Sequence, residues 1–334
     1  MNFMVNIDVE KLKRPISYGH NILLTGSCFT EHIGNSLQDL KFSVLQNPNG
    51  ILFDPLSVSG SLVSYINNDQ YSEKDLFLHN ELWNSWQHHS RFSHTNLHEC
   101  LRIINASQQR AHEFLKTADW IIITLGSSFS YRLTPGPSIH GQAGMSVANC
   151  HRAPAQWFQK SLLPVEQIIS SMDMCFRQLF QFNKNLQLIL TVSPVRHIRD
   201  GVIDNNRSKA RLIESVHHLI NKFNAVHYFP AYELVIDVLR DYRFYDVDLV
   251  HPNYMATEFV LEKFASSCID ENSRLLMEEI KKIVIARNHK PLQPSTEAHK
   301  QFLQTHYEKV KSLQKKYSFI NLENELNFFM TQDL

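Results

Sequence analysis

No apolar run in this 334-residue chain approaches the roughly 20 residues that a helix needs to cross a bilayer, so no membrane span is expected. Polar and charged groups break Met1–Asp8 before a signal-peptide core could form, and the chain reads as cytoplasmic. Excess charge is missing too. Lys plus Arg and Asp plus Glu number 33 each, so no overall field draws the protein to nucleic acid, anionic lipid or an acidic substrate. The five cysteines, Cys28, Cys100, Cys150, Cys175 and Cys268, are odd in number, dispersed and without a C-x-x-C pair. That pattern argues against a disulfide framework or a structural zinc site and for reduced thiols. Neither Gly-x-Gly-x-x-Gly nor a phosphate-loop spacing occurs, which leaves nucleotide cofactors unsupported. Repeats and low-complexity segments are absent.

What is present is a 43% apolar composition, enough to bury a core in one large domain or in one domain with an appendage. Short apolar segments at Asn21–Gly26, Trp120–Gly126, Leu186–Val192 and Ala225–Phe229 read as strands. Helical stripes separate them: Ile33, Leu37 and Leu40, then Val165–Phe182, then Lys209–Phe223. Such alternation predicts a parallel α/β sheet, with reactive groups gathered beyond the carboxyl ends of its strands at Ser27-Cys28, Ser127-Ser128 and Ser193-Pro194. Two stretches depart from this rhythm. Tyr65–His98 reads as a long insertion or cap, and Pro135-Gly136-Pro137 opens an irregular segment running to Pro154. Beyond Cys268 the chain reads as helical, with one helix ending near Asn288 and another over Thr296–Lys316.

Two segments point to nucleophilic chemistry. Gly26-Ser27-Cys28-Phe29-Thr30 places a hydroxyl and a thiol where a strand turns into a helix. Asp248-Leu249-Val250-His251-Pro252 spaces a carboxylate and an imidazole for hydrogen bonding on one loop. Neutral imidazole donates from one nitrogen and accepts at the other. Asp248 would therefore fix which nitrogen of His251 faces a nucleophile and would stabilise the imidazolium once formed. Plainer roles stand beside these: Cys28 as a small thiol packed at a tight turn, and Ser27 as the cap of the following helix. His88, His89, His94 and His98 raise a metal reading, His94 and His98 being four apart as on one helix face, but no further ligands complete a set and no metal is expected. Trp83, Trp86, Phe92 and Phe129 suit core packing better than a substrate platform. Arg196, His197 and the run Asn205–Lys209 follow a strand and would either grip an anionic or hydroxylated ligand or simply be solvated loop charge.

These residues resemble a family. Gly26–Thr30 is similar to the signature of the GSCFA domain, a bacterial group related to the SGNH (GDSL-like) hydrolases. The resemblance continues in order through Asn47-Pro48-Asn49-Gly50-Ile51, Trp86–Ser93, Thr124–Phe129, Asn149-Cys150-His151, Thr191–Arg196 and Asp248-x-x-His251-Pro252, over about residues 20 to 265. It implies an SGNH-like three-layer α/β sandwich with a five-stranded parallel sheet over residues 1–270, an insertion at about 65–100, and a helical extension at 271–334. It also implies an ester hydrolase or acyltransferase acting on O-acyl esters, carbohydrate esters among them, without metal or organic cofactor.

Carried over position by position, Cys28 takes the nucleophile's place and Ser27 that of the usual aspartate, so that Cys28, or failing that Ser27, would form the acyl-enzyme. Gly50 and Ser128 take the oxyanion donors' places, Ser128 where an asparagine is usual, and Asp248 and His251 complete the triad. A thiol at a helix amino terminus is expected to ionise below its ordinary value of about 8.5. His89, Ser90, Arg196 and His151 would line the pocket. The departures at Ser27, Cys28 and Ser128 leave open a non-catalytic ligand-binding module on a degenerate scaffold. A thiol redox sensor would need a resolving partner, for which Cys150 is the candidate.

Overall fold

The computed structural model of the chain describes residues 5–135 and 141–331, so Gly136 and Pro137 of the expected irregular stretch lie outside the described residues. Strand β1 (Asn21–Gly26) leads into helix α1 (Cys28–Asp39), edge strand β2 (Ser43–Gln46) and α2 (Pro55–Asn67). The hairpin β3 (Phe77–His79) and β4 (Leu82–Asn84) precedes α3 (Leu97–Thr117) and β5 (Trp120–Leu125). Strands β6 (Phe129–Leu133), β7 (Ser146–Val147) and β8 (Phe158–Leu162) form a small antiparallel sheet, followed by α4 (Val165–Phe182) and β9 (Gln187–Val192). Then come α5 (Val202–Lys222), β10 (Val226–Tyr228), and the short α6 (Ala231–Glu233), which runs into a π-helical turn over Leu234–Leu239. Helices α7 (Tyr254–Cys268), α8 (Glu271–Asn288), α9 (Glu297–Lys316) and α10 (Glu323–Thr331) complete the chain. None of the described helices is long and apolar enough to cross a membrane.

The main sheet is parallel throughout, in the order β2-β1-β5-β9-β10. Residue alternation along each strand explains its two covered faces. Ile22, Leu24, Trp120, Ile122 and Ile189 face one core, with α1, α7 and the C-terminal helices. Leu23, Ile121, Ile123, Leu188 and Leu190 face the other, with α2 to α5. Each such fully buried aliphatic side chain contributes about 2 kcal/mol. The chain leaves β1 for β2 on one side and returns to β5 on the other, so the strand order reverses at β1. Beyond the carboxyl ends of β1 and β5 this reversal opens a crevice, the place where open α/β sheets hold ligands.

The helices beyond Cys268 are built into the first core: Leu303, Val310 and Phe329 are buried in the same cluster as Ile16, Tyr18 and Phe42. Glu325 is fully buried and accepts from Lys41 at 2.7 Å and from Arg287 at 2.6 Å, pinning α10 to the α1–β2 turn.

Several boundaries differ from the sequence reading, each for a local reason. The supposed insertion cuts into two core helices. Asp54 caps α2 through the amides of Leu56 and Ser57 with Pro55 in the first turn, and Tyr65 near its end is fully buried. His94 pairs with Trp83 ahead of α3 and so does not share a helix face with His98. Helix α5 starts at Val202, which makes Asn205–Lys209 helical rather than a loop. Trp86 is buried and stacks on Phe77 with ring centroids 3.6 Å apart, and Phe92 is buried, as expected of packing aromatics.

Candidate active site

The geometry starts at Gly26. Its φ is +137° and a Cβ would fall onto the carbonyl oxygen of Thr124 in β5, so glycine alone lets β1 end this close to its neighbour. The amide of Gly26 donates to Asn47 Oδ1 at 3.0 Å, and its carbonyl accepts from Leu52 at 2.9 Å. The segment Asn47–Phe53 is thereby wrapped around the ends of β1 and β5, since Phe53 also accepts from the amides of Gly126 and Ser127 at 2.9 and 3.0 Å.

Ser27 is the N-cap residue of α1, but its side chain makes no capping bond; its hydroxyl is buried without a partner among the described residues, with the residue 1% exposed. This corrects the expectation that Ser27 caps the helix. The amides of Phe29 and of Cys28 itself favour the charged form of the next residue's sulfur. Cys28 is half-buried and free. Its thiol is raised, not lowered: burial outweighs the two amides and the nearby Lys209 cation, and Glu31 adds to the rise. The resting side chain is therefore a protonated thiol, contrary to the low-pKa thiolate anticipated from the sequence.

Asp248 and His251 meet as expected from their spacing. Asp248 Oδ2 lies 2.6 Å from His251 Nδ1, while Oδ1 accepts from the amides of Val250 and His251 at 2.9 and 3.0 Å. These bonds, the imidazole first, hold the carboxyl down at about 2. Between the two residues Leu249 is left-handed with φ +58°, a strained conformation of the kind that concentrates at functional loops. The pair is half-exposed. Among the described residues no hydrogen bond joins Cys28 to His251. His32, one turn along α1 from Cys28, is lowered by burial and then by His251. Arg196 steadies the same loop, donating its amide to Val250 O at 3.2 Å and laying its guanidinium over Tyr245 at 4.2 Å.

Other sequence-derived candidates are committed elsewhere. The amide of Gly50 closes a turn on Asn47 O at 2.7 Å, and Gly50 is left-handed with His89 packed against it. Ser128 is fully buried; its amide donates to Ser208 Oγ at 2.8 Å and its hydroxyl to Ser208 O at 3.1 Å, both on α5. His89 Nδ1 accepts from the Arg91 amide, and the Arg91 side chain pairs with Glu31 of α1 at 2.9 Å, which brings that loop beside the crevice. Ser90 is exposed on the following turn. His151 bonds Ser85 O at 2.8 Å within the aromatic cluster of Phe77 and Trp86, and burial lowers it to about 4.

Two groups at the crevice were not singled out from sequence in the role they occupy. Lys209 is 1% exposed and donates to Gly126 O and Ser193 O, both at 2.6 Å, spanning the carboxyl ends of β5 and β9. Burial pushes its amine down to about 7. His197 places Nε2 3.1 Å from the same Gly126 carbonyl, and burial, then Lys209, lowers it to about 4. It is neutral near pH 7 and donates that bond from Nε2. Lys209 had a sequence signal: with Asn205 and Ser208 it continues the stripe Leu212, Ser215, Val216, Leu219, all buried on α5.

A sequence profile described as the GSCFA family matches residues 21–264. The chain belongs to the GSCFA family. The match encloses every crevice residue above, Lys209 included. A second profile, for the C-terminal domain of GSCFA domain proteins, matches residues 280–333, which in this GSCFA protein run from α8 through α10. Comparison with curated proteins gave no match.

Proposed function

We propose that this GSCFA protein is an acyl-transferring or ester-cleaving enzyme of the SGNH type that works through an acyl-Cys28 intermediate. The observation that carries the reading is the half-buried sulfur of Cys28 at the amino end of α1, in the crevice where the strand order reverses. Cys28 attacks the acyl carbonyl. Charge developing on the carbonyl oxygen is stabilised by the α1 amino terminus, through the amides of Phe29 and Cys28, rather than by Gly50 or Ser128, whose donors are already engaged. His251, oriented by Asp248, takes the proton of the incoming water or acceptor hydroxyl as the thioester is resolved. The substrate class is O-acyl esters, with acylated carbohydrates implied by the family resemblance.

The engaged donors and the raised thiol favour one rival, a ligand-binding module on the same scaffold. A panel of acyl esters, offered to the protein and to Cys28→Ala and His251→Ala variants with intact-mass detection, separates the two. The enzyme accumulates an acyl adduct on Cys28, more of it in His251→Ala, and turns over no ester in Cys28→Ala. A binder forms no adduct with any member.

A further inference from the structure

We propose that Arg196 determines specificity at this site, its guanidinium receiving an anionic group (carboxylate, phosphate or sulfate) carried by the ester. The inference rests on the acyl-Cys28 reading and narrows its substrate class from O-acyl esters in general to anionic ones.

Arg196 follows β9 at the edge of the crevice. Val195, one residue before it, is buried in the core against which Cys28 and Val250 also pack. The Arg196 amide donates to Val250 O at 3.2 Å, one residue from His251, so the side chain leaves the backbone beside the His251 loop. Aromatic faces then hold it: the guanidinium carbon lies 4.2 Å from the ring centroid of Tyr245 and 5.2 Å from that of Tyr242. Tyr245 is buried and bridges to Pro252, the residue after His251. A ring face attracts the cation but offers no lone pair to its five N–H donors.

Those donors are unclaimed. Among the described residues the Arg196 guanidinium makes no ion pair and no hydrogen bond, whereas Arg91 on the other side of the crevice is paired with Glu31 at 2.9 Å. Carboxylates on the segments flanking Arg196 are engaged elsewhere: Asp200 with Lys160, Asp204 with Arg207, Asp241 with Arg243 and Asp248 with His251. Neither Asp237 nor Asp246 forms an ion pair with it. A planar guanidinium presents parallel N–H pairs that match two oxygens of a carboxylate, phosphate or sulfate. Held on the tyrosines before any ligand arrives, it loses little freedom on binding. It is also half-buried, which weakens screening by salt. With the chain's charges balanced overall, no long-range field selects an anionic substrate, so the selection is made by a local cation of this kind.

The test is NMR of arginine-labelled, full-length Cys28→Ala protein, which binds without turnover, titrated with monoethyl succinate and 2-acetoxyethyl phosphate as anionic esters and with ethyl succinamate and 2-hydroxyethyl acetate as neutral ones. The Nε–H signal assigned to Arg196 by its loss in Arg196→Lys should move with an anionic ester and stay with the neutral pair, and which anionic ester moves it tells carboxylate from phosphate. Adding Arg196→Met should weaken anionic binding by about tenfold or more, and Arg196→Lys by less. Equal binding of anionic and neutral esters, no movement with any of the four, or unchanged affinity in Arg196→Met overturns the proposal. So does an equal loss for both kinds of ester in Arg196→Met, the mark of a residue that only steadies the His251 loop. If Arg196→Met fails to fold, salt decides: raising it must weaken anionic binding alone, and equal weakening of neutral binding overturns the proposal. Selective capture of an anionic ester by a protein that forms no acyl adduct on Cys28 refutes the acyl-enzyme reading and leaves this one standing.

Discussion

The buried amine of Lys209 gives the stability of the whole protein a pH dependence of definite sign. Folded, it titrates at about 7 because burial disfavours the cation; unfolded, it titrates near 10.4. Between these values the unfolded chain carries one proton more than the folded one, so stability rises with pH. Below about pH 7 the amine is charged in both states and its own contribution to the slope vanishes. Above about pH 8.5 the unfolded cysteines begin to ionise while the raised native thiols do not, which works in the opposite direction. From pH 7 to 8.5 the gain is at most about 1.4 kcal/mol per unit, or about 2 kcal/mol. With an unfolding entropy of about 2 cal/mol/K per residue, this raises Tm by about 3 °C for a chain of 334 residues. Urea midpoints across the window, in the unaltered protein and in Lys209→Met, measure it. A flat profile in the former, or an equal slope in the latter, refutes the assignment of the titration to Lys209.

Three further outcomes follow from the geometry. Glu325→Gln leaves Lys41 and Arg287 without their buried anion and should cost about 3 kcal/mol, a drop of about 4 °C in Tm by calorimetry, whereas a change under about 1 °C means that α10 is not held by these pairs. Gly26→Ala forces a Cβ onto the Thr124 carbonyl at a φ of +137°, and should lower stability by about 3 kcal/mol in urea titration. The Asp248 carboxyl, ordinarily near 3.9, is held at about 2, so the order it gives its loop is present above about pH 4 and fades as pH falls toward 2. A carbon-detected titration should place its midpoint near 2, and His251→Ala should return it toward the ordinary value.

Much of the sheet was legible because strand periodicity is local: Asn21–Gly26 matches β1 residue for residue, and the segments at 120, 186 and 225 match within two residues. The edge strand β2 was missed because it is only four residues long, Ser43–Gln46, with Leu45 alone buried, and so carries little pattern. Helix α2 was hidden by its serines and Gly60; what makes it a helix is the Asp54 cap and burial against α4, a tertiary effect. Within the crevice, Asp248 and His251 were readable since their bond spans three residues. Lys209 was legible only as one position of the buried α5 stripe and not in its role, because its hydrogen-bond partners lie 83 and 16 residues away. The raised thiol of Cys28 was equally out of reach: the helix amides are visible in sequence, whereas the burial that outweighs them is not.

The sulfur at the start of α1 ties the chemical state of one atom to the opening turn of a helix. The amides of Phe29 and Cys28 favour charge on that sulfur, so under the proposed acyl-Cys28 reading each acylation would remove the charge they act on and each release would restore it. Hydrogen exchange at Phe29 would then act as a clock running inside the protein, ticking only while the intermediate lives.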